Sequence, residues 1–215
     1  MAYLPLAPAL VEIPAGHDAY ESIERQFWGN WLHHSQKPEV IKIWKIFGKK
    51  VYVDRYMAYK DKVIKSSGYP DGNAKRRWHG TTRTCRLGDT SSHSQICNDL
   101  RCSLCSIIET SFDVVKSGKK TDWGRFGSGI YTSSTSSKAD SYVHELGGSR
   151  YSTMLLNAVI LGRSKELTEN SPDLKQPPAG YQSVTGVPGH DLNYDECIVY
   201  DNDAIRPMYL VVYQD

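Results

Sequence analysis

Three stretches of this chain carry residue types that could do chemistry together. They are Trp78-His79-Gly80-Thr81, the run from Arg125 through Tyr131 and Lys138 to Tyr142, and the run from Asn193 through Glu196 to Asp201. An imidazole can serve as hydrogen-bond donor or acceptor near neutral pH, and a glycine beside it lets a ligand approach the backbone. Two phenol rings offer faces that attract a flat cation. A fixed carboxylate stabilises positive charge that develops as a bond breaks. Between the first two stretches lie Cys85, Cys97, Cys102 and Cys105, four of the chain's five cysteines. The last pair reads C-x-x-C, and four thiolates suit a tetrahedral structural Zn2+. His93 could replace one of them, and free thiols or disulfides are the alternatives. Cys197 lies apart and reads as a small core residue.

The elements that must position these groups follow from hydrophobic period. Residues 20–34 read as an amphipathic helix with Ile23, Phe27 and Trp31 on one face. Acidic side chains sit in its first turns and His33 and His34 in its last, as the helix dipole prefers. Strands are expected at residues 40–47, 76–81, 130–131, 154–161, 197–200 and 207–213, and helices at 51–66, 102–112 and 134–147. In the last strand Tyr209, Val211 and Tyr213 share one face, with Leu210 and Val212 on the other. Residues 85–102 read as an irregular loop, and 169–190, with four prolines, as an irregular excursion. Strands and helices mix without βαβ alternation, so the class is α+β. Asp195 should face away from Glu196 and is left out of the site.

The 215 residues suit a single domain over residues 1–215, with residues 1–38 as an N-terminal extension and helix. A net charge of +2 does not mark a dedicated nucleic-acid binder. The basic pairs Lys49-Lys50, Arg76-Arg77 and Lys119-Lys120 read as solvated surface. No apolar run could span a bilayer. The N-terminal stretch is broken by prolines and lacks a charged leading region, so it reads as a coil packed on the domain rather than a signal peptide. An odd, clustered set of cysteines fits a reducing, intracellular setting, nuclear or cytoplasmic.

In order and spacing, four features resemble the catalytic domain of the poly(ADP-ribose) polymerase, diphtheria-toxin-like class of ADP-ribosyltransferases. These are the His-Gly-Thr strand, the Gly-x-Gly-Ile-Tyr strand, a Ser137-Lys138 helix with Tyr142 eleven residues after Tyr131, and Glu196 opening an Ile-Val-Tyr-Asp strand. Gly180-Tyr-Gln-Ser183-Val-Thr-Gly186 is similar to the loop before the family's glutamate. The likeness spans roughly residues 40–215, and more narrowly it resembles the fungal type, with a cysteine-rich insert at 85–105. It implies a split, mostly antiparallel sheet with flanking helices, and NAD as substrate. By the resemblance, His79, Tyr131 and Glu196 form the catalytic set. His79 holds the adenosine ribose, Gly80 the nicotinamide carboxamide, and Tyr131 and Tyr142 flank the ring. Thr81 and Lys138 complete the NAD contacts, Lys138 as a phosphate contact or as a structural residue. The family serine after Ser-Lys is replaced by Ala139, which predicts a weaker grip on nicotinamide. The implied activity is release of nicotinamide and transfer of ADP-ribose to a protein or nucleic-acid acceptor by a monomer. The alternatives are NAD hydrolysis on the same site and a non-catalytic module that reads ADP-ribose or nucleic acid.

Overall fold

The computed structural model describes residues 9–33, 37–116 and 124–214. His34, Lys119-Lys120 and Asp215 lie outside them. Along the chain run β1 (Ala9–Ile13), α1 (Asp18–Gly29), β2 (Glu39–Phe47), α2 (Lys50–Ser67), β3 (Ala74–Gly80), β4 (Thr82–Arg83) and α3 (Ser103–Thr110). They are followed by β5 (Ile130–Thr132), α4 (Ser136–Asp140), β6 (His144–Glu145), β7 (Ser152–Ile160), β8 (Ser164–Leu167), β9 (Ser183–Gly186), β10 (Glu196–Val199) and β11 (Ile205–Gln214).

The larger sheet has the order β1-β2-β11-β7-β3, and every pairing in it is antiparallel. The second has the order β5-β10-β9-β8, antiparallel except for β8 with β9. Strands β4 and β6 form a small parallel pair. An antiparallel bridge, Trp78 to Ser133, joins the edges of the two main sheets. This is the split, mostly antiparallel α+β architecture expected. Among the described residues, no helix is long and apolar enough to cross a membrane.

Period-two alternation in β11 divides the core. Val211 and Tyr213 pack with Ile23, Phe27 and Trp31 near α1, and Tyr209 joins that side. Leu210 and Val212 face the opposite cluster with Leu87, Leu104 and Ile108. Full burial of each such side chain is worth roughly 1.5–3 kcal/mol. A smaller cluster of Phe126, Val184, Leu192 and Ile198 holds the second sheet.

Four expectations need correction. Residues 9–13 are a strand, not coil: Leu10 turns inward while Val11 turns out, and β2 offers them a free edge. Helix α1 stops at Gly29, because Asn30 bonds back to Gln26 O at 2.8 Å and the Leu32 amide leaves the helix for Ser137 Oγ at 3.0 Å. The helix expected over 134–147 ends at Asp140, because Glu145 is drawn to the fully buried Arg83 and His144–Glu145 pair with Thr82–Arg83. The excursion at 169–190 contains β9, anchored by fully buried Val184 and by Ser183 Oγ on Leu161 O at 2.7 Å.

Candidate active site

The two sheets meet where β3 ends beside the end of β5. The Trp78 amide donates to Ser133 O at 2.8 Å, and the Ser133 amide to Trp78 O at 3.1 Å. One residue on, His79 Nδ1 lies 2.9 Å from Tyr131 O. A carbonyl oxygen only accepts, so Nδ1 carries the proton. Burial holds the His79 pKa below its ordinary 6.5, although the bond to Tyr131 O works the other way. The neutral ring therefore leaves Nε2 as an acceptor, suited to a hydroxyl. Phe112 meets this imidazole edge-on, with ring centroids 5.1 Å apart.

Gly80 ends β3 tightly against α4, and a Cβ there would collide with the Ala139 carbonyl. Packing alone thus requires the glycine, apart from any ligand. Ala139 itself is buried and offers no hydroxyl. Helix α4 is held from two sides. From α1, Ser136 Oγ donates to Phe27 O at 2.6 Å and the Ser136 amide to Asn30 O at 3.1 Å. From the residue just before β10, Asp195 accepts from Ser133 Oγ at 2.9 Å, the Ser134 amide at 2.8 Å and Thr135 Oγ1 at 3.0 Å. Thr135 is the N-cap but makes no side-chain cap bond, so Asp195 organises the turn into α4 instead.

That turn aims Lys138 at Glu196. Lys138 Nζ lies 3.1 Å from Glu196 Oε1, in a pair whose side chains are 19% and 7% exposed. The other carboxylate oxygen, Oε2, is buried with no hydrogen-bond partner among the described residues. Desolvation opposes the Lys138 charge, yet Glu196 and the Tyr142 phenol hold its pKa above 10.5. Tyr142 OH receives a hydrogen bond from Lys138 at 3.2 Å, and the ammonium also lies 5.1 Å from its ring centroid. Tyr142 is 44% exposed, so its ring borders solvent. Tyr131 OH donates to Gly127 O at 2.8 Å and accepts from the Phe126 amide at 2.9 Å. Burial pushes its pKa up to about 12. The phenol thus locks the glycine turn before β5 and leaves the ring as the surface on offer.

Sequence reasoning missed Asp195. Its place directly before Glu196 invited an argument from strand alternation, but β10 begins only at Glu196. It also missed Arg83, which pairs with Glu145 at 2.5 Å and Asp89 at 2.7 Å and donates to Tyr151 O at 2.7 Å. These partners are remote or local in ways that no spacing signals.

The four sulfurs of Cys85, Cys97, Cys102 and Cys105 lie within 4.8 Å of one another. His93 instead points Nδ1 at Thr90 Oγ1, 3.1 Å away. Cys197 is buried and receives Arg77 Nε at 3.3 Å, so it has a polar partner as well as a core position. The basic pairs 49–50 and 76–77 are engaged within the protein: Lys49 with Glu109, Lys50 with Asp54 and Arg76 with Ser22.

The fold is consistent with an ADP-ribosyltransferase-type catalytic domain, and the family match makes that class explicit. The chain belongs to the family described as Poly(ADP-ribose) polymerase catalytic domain, which it matches over residues 17–191. Protein mono-ADP-ribosyltransferase PARP3 of Homo sapiens is 28% identical over 174 residues, 80% of this chain and 26% of that protein. Protein mono-ADP-ribosyltransferase PARP4 of Homo sapiens is 35% identical over 100 residues, 43% of this chain and 6% of that protein. Protein mono-ADP-ribosyltransferase PARP3 of Mus musculus is 43% identical over 63 residues, 28% of this chain and 12% of that protein. The chain therefore spans about a quarter or less of the length of these relatives.

Proposed function

We propose that this chain cleaves NAD, releases nicotinamide and transfers one ADP-ribose unit to a protein acceptor. One observation carries the reading. Glu196 is a buried carboxylate with one oxygen on Lys138 and the other without a partner among the described residues, at the start of the strand that pairs with β5, which carries Tyr131.

In this assignment His79 Nε2 accepts a hydroxyl of the adenosine ribose. Gly80 offers its backbone to the carboxamide, Thr81 continues that wall, and Tyr131 and Tyr142 flank the cationic ring. Lys138 keeps the Glu196 carboxylate in place. When the glycosidic C–N bond breaks, its electron pair returns to the ring nitrogen and neutralises the pyridinium. The ribose carbon takes on oxocarbenium character. Glu196 Oε2 accepts the neighbouring ribose hydroxyl, and its charge favours the cationic transition state over the ground state. An acceptor nucleophile then bonds to that carbon and gives up its proton to the carboxylate or to water.

The relatives' names, each a protein mono-ADP-ribosyltransferase, support a single-unit transfer to protein.

The test is incubation with NAD labelled in its adenylate half, followed by mass spectrometry. Labelled protein supports transfer. Free ADP-ribose alone means hydrolysis on the same site. Intact NAD throughout means a reading module and overturns the proposal.

A further inference from the structure

We propose that Cys85, Cys97, Cys102 and Cys105 bind one Zn2+, and that this ion holds Phe112 against His79, so that metal occupancy sets how tightly NAD is gripped. The second half rests on the NAD-cleaving reading of the site.

Geometry carries the metal. Cys85 Sγ lies 3.6 Å from Cys105 Sγ and 3.9 Å from Cys102 Sγ. Zinc–sulfur bonds of about 2.3 Å in a tetrahedron place sulfurs about 3.8 Å apart. A disulfide would need about 2.05 Å. The Cys97 amide donates to Cys105 Sγ at 3.4 Å, a bond that favours a thiolate. Four protein sulfurs leave no open coordination position, so the role is structural.

The loop needs such a clip. Residues 84–102 contain neither helix nor strand, and Leu100 within them is fully exposed. Its mouth is tied by Arg83, which donates to Leu87 O at 2.6 Å and to Asp89. At its far end Ile96 and Cys97 pack against the larger core cluster beside buried Cys102 and, in α3, buried Cys105.

The link to His79 is one short helix. Cys102 caps α3 and Cys105 lies in its first turn. At the other end Ser111 adopts φ of 61°, which residues with a side chain seldom adopt, and Phe112 follows against the imidazole. A metal at the start of α3 thus fixes a rigid segment whose far end sets the plane of His79. Phe112 is in this sense a positioning residue.

Elemental analysis of the chain, purified without chelator, should give one zinc per chain. Replacement by Co2+ in the unaltered protein should give thiolate-to-metal charge transfer and the intense visible bands of a tetrahedral ion, a readout that needs neither a variant nor activity. Phe112→Leu should keep its zinc and raise KM for NAD roughly two- to tenfold with kcat nearly unchanged, the range an edge-to-face aromatic contact spans. Chelation under reducing conditions should move KM the same way. No stoichiometric metal, or an octahedral cobalt spectrum, overturns the site. Unchanged KM in both the stripped protein and Phe112→Leu overturns the coupling. Full zinc with no nicotinamide release supports the metal site and counts against the NAD-cleaving reading. Calorimetric NAD affinity, with and without metal, then decides the coupling by itself.

Discussion

His79 and Tyr131 are joined across the seam of the two sheets, imidazole Nδ1 to main-chain carbonyl at 2.9 Å. A side chain of one sheet is thereby oriented by the backbone of the other, and its second nitrogen is left for a ligand. Substrate would bind across that joint, so the integrity of the seam and the geometry of the site are one property.

The first prediction concerns pH. Burial holds the His79 pKa below 6.5 in the folded chain. Because the folded value is depressed, protonation favours the unfolded state. The contribution is present above pH 6.5 and is lost as pH falls through the folded value. The His79 ring signal in NMR should titrate with a midpoint below 6.5, and kcat/KM for NAD should be flat from neutrality down to that range. A midpoint at or above 6.5 would contradict the assignment of a neutral, half-buried acceptor.

Lys138 and Glu196 should be energetically coupled. Lys138→Met leaves a largely buried carboxylate without its cation and should cost about 1–3 kcal/mol in denaturant unfolding, below the 3–5 of a fully buried pair. The side chain of Lys138 keeps 19% of its exposure, which is why the lower range applies. Adding Glu196→Gln should recover most of the loss. Strictly additive costs would show that the ion pair has no weight.

Asp195 should matter for rate as well as stability. In Asp195→Asn one acceptor oxygen becomes a donor facing the Ser133, Ser134 and Thr135 groups. A stability loss of about 1–2 kcal/mol is expected from the lost bonds. Displacement of α4, and with it Lys138, should lower kcat roughly tenfold, equivalent to ~1.4 kcal/mol. Full activity with only the stability loss would make Asp195 a fold residue alone.

Much of this arrangement was legible before the fold was known, and the reasons are physical. The alternation of Leu210, Val211, Val212 and Tyr213 predicts both faces of β11, because a strand's period is exact and both sides of it are buried. His79-Gly80, Tyr131 and Glu196 are each weak signals alone, and only their order and spacing, through the family resemblance, single them out. The strand at Ser183–Gly186 was hidden by flanking glycine and proline, and only the burial of Val184 reveals it. The short α4 was overextended because its end is dictated by Arg83, more than fifty residues earlier in the chain, and no local pattern encodes that partner. Asp195 shows the same limit: its partners lie about sixty residues away in sequence.

Nicotinamide release from NAD by Glu196→Gln, compared with the unaltered chain, tests the central claim most directly. Both proteins must first give the same thermal transition within a few degrees. Loss of one preorganised electrostatic contact of ~2.7–4 kcal/mol predicts a fall in kcat of roughly 10²–10³. A folded Glu196→Gln protein that releases nicotinamide at the parental rate would contradict the account.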